Sequence, residues 1–339
     1  MSLIQNIVEK PFQIEFDVMN DSGRANTSVV NAIRRTIMAD IETWVIDPEQ
    51  TTFTDNTSIL DNEFISHRLS QIPIRNDVKD MDYDNIVIEC RKKNDEDEVI
   101  SVYVSDFVVN VNGEVVENSV LFPYLNILVL KLRYQQSIGF ECKLVRGSVE
   151  NGDSAVHTSV CTCIHTFVVD DAEIKEKTKD MSEEDRKRFL TNDMQRVYQK
   201  NARLEPKILH MVVESIGQFE AREIVKMGMQ ILKKRIQNFN RDLKGRAERI
   251  TIENGEVYED IIDISVDDET DTLGNMLSMY MNRRENVGYS GYVIRHPLRK
   301  NILFRVKLTE NNTVDEIIKN YEAVCQEIQE TLDEMLAGL

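Results

Sequence analysis

Four residues between positions 157 and 165 carry donor atoms that metals favour: His157, Cys161, Cys163 and His165. A tetrahedral zinc site takes four such ligands. On an extended strand successive side chains alternate, so Cys161 and Cys163 are expected on one face. A site drawn from a single strand, with no second pair of cysteines, would be strained, and buried thiols are ordinary core residues. Packing is the preferred reading, and no metal or cofactor is expected. Cys90, Cys142 and Cys325 are scattered, which makes no disulfide framework and fits a reducing compartment.

A second chemistry is electrostatic. From Arg222 to Arg249 there are nine Lys or Arg against three acids. Such a face could hold phosphates. Yet the 339-residue chain has 41 basic and 59 acidic side chains, a net charge of −18, which repels nucleic acid on average. Eight of the sixteen residues from 256 to 271 are acidic and none is basic. The basic face is expected to meet that stretch or an acidic partner surface. No catalytic constellation accompanies it: there is no Gly-rich phosphate loop before a helix, no H-E-x-x-H and no G-x-S-x-G, and Asp153 sits in a turn without a partner. No apolar run nears the ~20 residues that cross a bilayer, and the first residues lack the marks of a signal peptide. The expectation is a soluble, intracellular, non-enzymatic chain of about two domains.

The elements that must position these residues follow from periodicity. Phe12, Ile14 and Phe16 alternate as on a half-buried strand. A turn at Asn20 to Gly23 leads to a helix with Val29, Ile33 and Ile37 on one face, which Asn26 or Thr27 can cap. A short helix over 63–69 stops before Pro73. Residues 76–130, with short alternating runs and an Asn112-Gly113 hairpin signal, read as a β-rich insertion domain. Residues 171–205 are charged, an exposed helix or a surface excursion. A long helix then carries Val225, Met229, Leu232, Ile236 and Phe239 on its inner stripe.

Past a junction near Gly245 and a linker at 246–255, the theme returns at smaller size over 256–339. Strand character, from Val257 to Val266, precedes a short helix with Leu273, Met276 and Leu277 on one side. Two strands and a closing helix follow. Thr313 and Glu316 open that helix as a capping box, and Ile317, Tyr321, Val324, Ile328, Leu332 and Met335 stripe it. The fold class is α+β, with 1–75 and 131–245 as a first dimerisation module and 256–339 as a second. Each long helix bears an apolar stripe that its own small sheet need not fully cover. The two modules can bury those stripes against one another.

Residues 24–74 resemble the α-like assembly subunits of multisubunit RNA polymerases. The matching text is NTSVVNAIRRTIMADI, then WVID, then TSILDNEFISHRLSQIPI; later, HMVVESIGQFEAREIVKMGMQIL is similar to that family's closing strand and helix. These matches place 1–245 with the third-largest subunit, archaeal D. Residues 260–337 resemble the smaller partner, the eleventh subunit or archaeal L, through DETDTLGNML and VGYSGYVIRHPLRKNILFRV. The resemblance implies a natural fusion of the two, its halves packed through antiparallel long helices as an intramolecular pseudo-heterodimer, an arrangement similar to that of some large DNA viruses. A viral source would place it in host cytoplasm and virion, any other in the nucleus. Three positions depart from the family pattern: Glu42 for a Pro, Ser70 for a Gly and Asp271 for a His. Where many relatives hold zinc or an iron–sulfur cluster in the insertion, only Cys90 stands here, too few ligands for a metal.

What the resemblance implies for function is a non-catalytic assembly platform of a DNA-directed RNA polymerase. It implies as partners the largest and second-largest subunits and a small zinc-binding subunit, with little or no nucleic-acid contact and no membrane. The face toward the second-largest subunit carries over onto Asn31, Arg34, Arg35, His67 and Arg68; Arg suits such a surface because its planar fork matches carboxylates and carbonyls. The magnesium-binding D-x-D-x-D run of the catalytic subunit is missing. The rival reading is a stand-alone scaffold or regulatory protein that keeps the dimerisation fold outside a polymerase.

Overall fold

The computed structural model describes residues 2–151, 154–255 and 261–339; Asp153 and Val257 lie outside them. The chain opens on β1 (Ile4–Lys10) and β2 (Gln13–Met19), with Ile14, Phe16 and Val18 of β2 buried on one face. Phe12, expected on that strand, stands in the hairpin turn between them with φ 62° and is 41% exposed. Next comes α1 (Thr27–Ala39), where the Asn26 side chain accepts from the backbone N–H groups of Ser28 and Val29. Capping these free donors fixes where the helix begins.

An inserted body follows. It comprises β3 (Thr43–Ile46), β4 (Thr52–Asn56), α2 (Asn62–Ser70), β5 (Ile86–Lys93) and β6 (Ile100–Tyr103). After these run β7 (Val108–Val111), β8 (Glu114–Val116), the single turn α3 (Asn118–Leu121), β9 (Leu128–Leu132) and β10 (Ser137–Gly147). One sheet has the order β3-β10-β5-β7-β8, with β4 also on β10, and β6 pairs β9. Asn112 and Gly113 both take positive φ, 52° and 86°, in the turn joining β7 to β8. This body is wider than the 76–130 expected for it. β10 pairs with β3, β4 and β5, and Ile46, Ile65, Leu69, Phe140 and Leu144 share one hydrophobic cluster with Ile86 and Val109. Residues flanking the 76–130 segment therefore close its core, and the first dimerisation module loses them.

The first module resumes with β11 (Val160–Phe167). A charged excursion carries α4 (Asp171–Thr178) and α5 (Glu183–Asn192), and no side chain of α5 is buried. Its return is pinned by the Asn201 amide on the Asn20 carbonyl at 2.8 Å and the Asn20 amide on the Pro206 carbonyl at 3.0 Å. β12 (Ile208–Ser215) and the 25-residue α6 (Ala221–Gly245) complete the module. The second module is β13 (Ile250–Asn254), β14 (Ile262–Asp267), α7 (Asp271–Met281), β15 (Val287–Val293), β16 (Asn301–Leu308) and α8 (Val314–Gly338). The expected linker at 246–255 is mostly strand: Arg246, with φ 47°, ends α6, and β13 pairs with β14 from Ile250 to Asn254. A five-residue strand that closes on Glu253 and Asn254 offers only Ile250 and Ile252 to an alternation.

The two modules have one topology. Each runs strand, strand, helix, strand, strand, long helix, and the sheets have matching orders, β1-β2-β12-β11 and β13-β14-β16-β15. The inserted body occupies the α1–β11 connection of the first. A single hydrophobic cluster runs through both modules. The architecture is α+β, a pseudo-dimer within one chain.

Candidate interface site

The helix stripes form the seam. Val225, Met229, Leu232, Ile236 and Phe239 of α6, Leu273, Met276 and Leu277 of α7, and Ile317, Tyr321, Val324, Ile328, Leu332 and Met335 of α8 are each 0% exposed and lie in that one cluster. Phe239, Phe304 and Tyr321 form an aromatic triangle with centroids 5.6–6.0 Å apart. Polar pairs on the seam's rim show the helix direction. Lys233 reaches Asp333 at 2.6 Å, Gln237 reaches Gln329 at 3.3 Å, and Lys244 reaches Glu322 at 2.5 Å. Each step up α6 is matched by an equal step down α8, so the helices are antiparallel in one register. Arg246, the residue that ends α6, meets Asp315 in the first turn of α8 at 3.3 Å. Exposed pairs like these contribute little energy each but select register.

Deeper in the seam, Arg235 of α6 is gripped between the modules. Its guanidinium donates to Asp40 at 3.2 Å, to Glu269 at 2.8 Å and to the Thr270 hydroxyl at 3.0 Å. Arg249 also reaches Glu269 at 3.5 Å and Asp242 at 2.7 Å. Burial raises the carboxyls of Asp40 and Glu269 above the usual range, opposed by Arg235. Burial alone would lower Arg235, but Glu269 and Asp40 together hold it above its ordinary value. The basic face of α6 is thus largely paired inside the molecule, with Glu269 of the acidic stretch and with acids of α8.

The five carried-over residues divide between two bodies. On α1, Val29, Val30, Ala32, Ile33 and Ile37 face the core, leaving Asn31, Arg34 and Arg35 outside it. Arg34 donates to the Asn31 side chain at 3.0 Å, whereas Arg35 is bonded across the seam to the Thr272 hydroxyl at 2.8 Å. On α2, capped by Asp61, Ile65 and Leu69 are buried while His67 and Arg68 are exposed. Arg68 uses its fork on the Val129 and Leu128 carbonyls at 2.9 and 2.8 Å, tying α2 to β9. Four of the five are thus bonded within the chain, Asn31 and Arg34 to each other and Arg35 and Arg68 to other elements.

The structure adds two exposed apolar residues beside them: Phe64, 50% exposed, and Ile59, 71%. Phe64, His67 and Arg68 stand at i, i+3 and i+4, one face of α2. The signal lay in the sequence, because Phe64 falls off the Ile65–Leu69 stripe. A shallow groove beside this face is lined by Pro48, Phe53, Ser66 and His67, among others.

The four residues of metal-ligating type are not brought together. A bulge between Val160 and Thr162 breaks the alternation, so Cys161 is exposed and Cys163 buried, not on one face as expected. Burial pushes the Cys163 thiol up to about 12, and its Sγ faces the Arg34 carbonyl at 3.8 Å. The His157 ring is bonded to Thr43, and burial lowers His165, aided by Arg34. Among the described residues no cluster of three or more His, Cys, Asp or Glu could hold a metal ion.

Two comparisons bear on this seam. The family described as the RNA polymerase Rpb3/Rpb11 dimerisation domain matches residues 24–236 and, separately, residues 262–337. The chain belongs to that family. Its tandem matches fall on the two modules whose helices α6 and α8 seal each other. Among curated relatives it is similar to the DNA-directed RNA polymerase II subunit RPB3 of Schizosaccharomyces pombe, 26% identical over 71% of this chain and 86% of that one. It is similar as well to the DNA-directed RNA polymerase subunit Rpo3 of Methanocaldococcus jannaschii, 25% identical over 65% of this chain and 87% of the relative. A probable DNA-directed RNA polymerases I and III subunit RPAC2 of Caenorhabditis briggsae is 35% identical over 17% of this chain and 41% of its own length.

Proposed function

We propose that this chain is a non-catalytic assembly subunit of a DNA-directed RNA polymerase, which presents one preformed surface to the large subunits. The observation that carries this reading is the continuous core through two dimerisation modules of one polypeptide, with α6 and α8 in antiparallel register. Joining the modules covalently makes their pairing intramolecular, at an effective concentration of order mM for a short flexible tether. Here the tether is shorter still, since β13 follows α6 almost directly. The platform therefore forms before any partner arrives.

The second-largest subunit docks on the outer face of α1 and on α2. Asn31, Arg34 and His67 make its polar contacts, and Phe64 and Ile59 supply apolar anchors. Arg35 and Arg68 act indirectly, since their bonds to Thr272 and to the β9 carbonyls hold the two helices in place. The largest subunit and a small zinc-binding subunit complete the assembly. The fused arrangement fits a viral polymerase.

The experiment is co-purification. A chain carrying Arg34→Ala and Phe64→Ser, sites outside both cores, should fold normally and lose the large subunits from the purified complex. Unchanged co-purification would place docking elsewhere. Absence of large subunits from the wild-type preparation would favour the rival, a self-contained scaffold.

A further inference from the structure

We propose that the loop joining β15 to β16, residues 294–300, is a second docking element, whose partner is a protein surface with an apolar socket rimmed by carboxylates. This rests on the polymerase reading above and adds a site to it.

Topology singles the loop out. The matching connection of the first module, between β11 and β12, is the long excursion folded back onto the Asn20 turn. The second module has seven residues there, Ile294 to Lys300, running IRHPLRK. They carry three Lys or Arg and no acid in a chain of net charge −18. Most cations of α6 are paired inside the molecule, whereas the guanidiniums of Arg295 and Arg299 have no hydrogen bond or ion pair among the described residues. Between them Leu298 is 88% exposed, and Val293 at the loop's entry is 44% exposed. An apolar tip flanked by arginines is the composition of an interface centre, where large side chains desolvate and planar forks meet carboxylates.

The tip is also held in shape. The Leu298 N–H donates to His296 Nδ1 at 3.2 Å, the Arg299 N–H to the His296 carbonyl at 3.1 Å, and the Asn301 N–H to the Arg299 carbonyl at 2.8 Å. Pro297 removes a backbone freedom between them. At its base the Asp268 N–H donates to the Lys300 carbonyl at 2.7 Å, and the Lys300 ammonium lies 3.5 Å from Glu150 of the first module. A tip already ordered when free loses less entropy on binding. Backbone pairing by a partner strand fits less well, because the Asn282 side chain already occupies the outer edge of β15 at Ser290, accepting from its N–H at 2.8 Å and donating to its carbonyl at 2.6 Å.

The test places a photo-cross-linking amino acid at position 298, and separately at 64, in the full chain made together with the other polymerase subunits. The expected result is a protein–protein cross-link from 298 to one subunit, and a drop of about tenfold in its yield, as loss of an interface anchor implies, in the Arg295→Glu, Arg299→Glu background. Both charge changes are on exposed side chains, and an unchanged melting temperature verifies folding. A cross-link from 64 but none from 298 overturns the loop proposal alone. A cross-link from 298 to nucleic acid, or one insensitive to the charge reversals, overturns it as well. No large subunit recovered at all overturns both readings.

Discussion

Phe239 of α6 and Tyr321 of α8 meet edge to face, with ring centroids 5.8 Å apart and planes inclined by 72°, and neither ring has any exposure. One aromatic comes from each module. Phe239→Ala should cost about 3–5 kcal/mol, the range for a large buried ring truncated to a methyl. Because the core is shared, unfolding in urea should remain one transition with a lower midpoint. Two separated transitions, one per module, would show that the modules hold independent cores.

Arg235 should behave as a buried charge that its partners need. Truncation to Ala leaves Asp40 and Glu269 buried without their shared cation, for which about 3–5 kcal/mol is typical. Adding Asp40→Asn and Glu269→Gln should recover part of the loss, since the stranded charges go with them. A triple variant no more stable than Arg235→Ala would refute this account.

The same carboxyls set a pH dependence. Their values are raised in the fold by burial, from ordinary ones of 3.8 for Asp40 and 4.5 for Glu269. Between ordinary and raised values the native state holds more protons than the unfolded one, so stability falls as pH rises through that window. The contribution is full below the ordinary value and is lost above the raised one. Glu269→Gln removes one such titration. Against the variant, the wild type should be relatively most stable near pH 4 and lose ground toward neutrality, measured as the difference in Tm. A difference that does not move with pH would mean that Glu269 does not titrate in that window.

Gly228 of α6 lies directly against Ile37 of α1. A Cβ there would stand 2.5 Å from Ile37 Cγ1. Gly228→Ala is expected to destabilise by about 1–3 kcal/mol, the usual cost of overpacking a tight contact. Combining it with Ile37→Ala, which vacates the space, should cost less than the two changes summed. Simple additivity would show that α1 moves aside freely.

The legible part of this protein was its repeating hydrophobic rhythm. Stripes such as Val225–Met229–Leu232 and Ile317–Tyr321–Val324 obey the 3.6-residue period, and all of those side chains are buried. Less legible was anything that depends on a distant partner. β13 reads as a linker because its alternation spans only Ile250 to Glu253, too short to stand out, and it becomes a strand only once β14 pairs with it. The bulge that turns Cys161 outward depends on the register against β12.

By itself the amino-acid order determined which faces are apolar, that α8 is capped at Thr313, and that two similar modules follow one another, because those depend on neighbours within a few residues. Only the tertiary structure decided that α6 and α8 run antiparallel with Lys233 opposite Asp333, that Arg35 and Arg68 are bonded internally, and that the inserted body reaches back to β3 and forward to β10. The physical reason is that a guanidinium's partner, or a strand's register, is chosen by groups far along the chain, as Thr272 is from Arg35, and local periodicity carries no record of them.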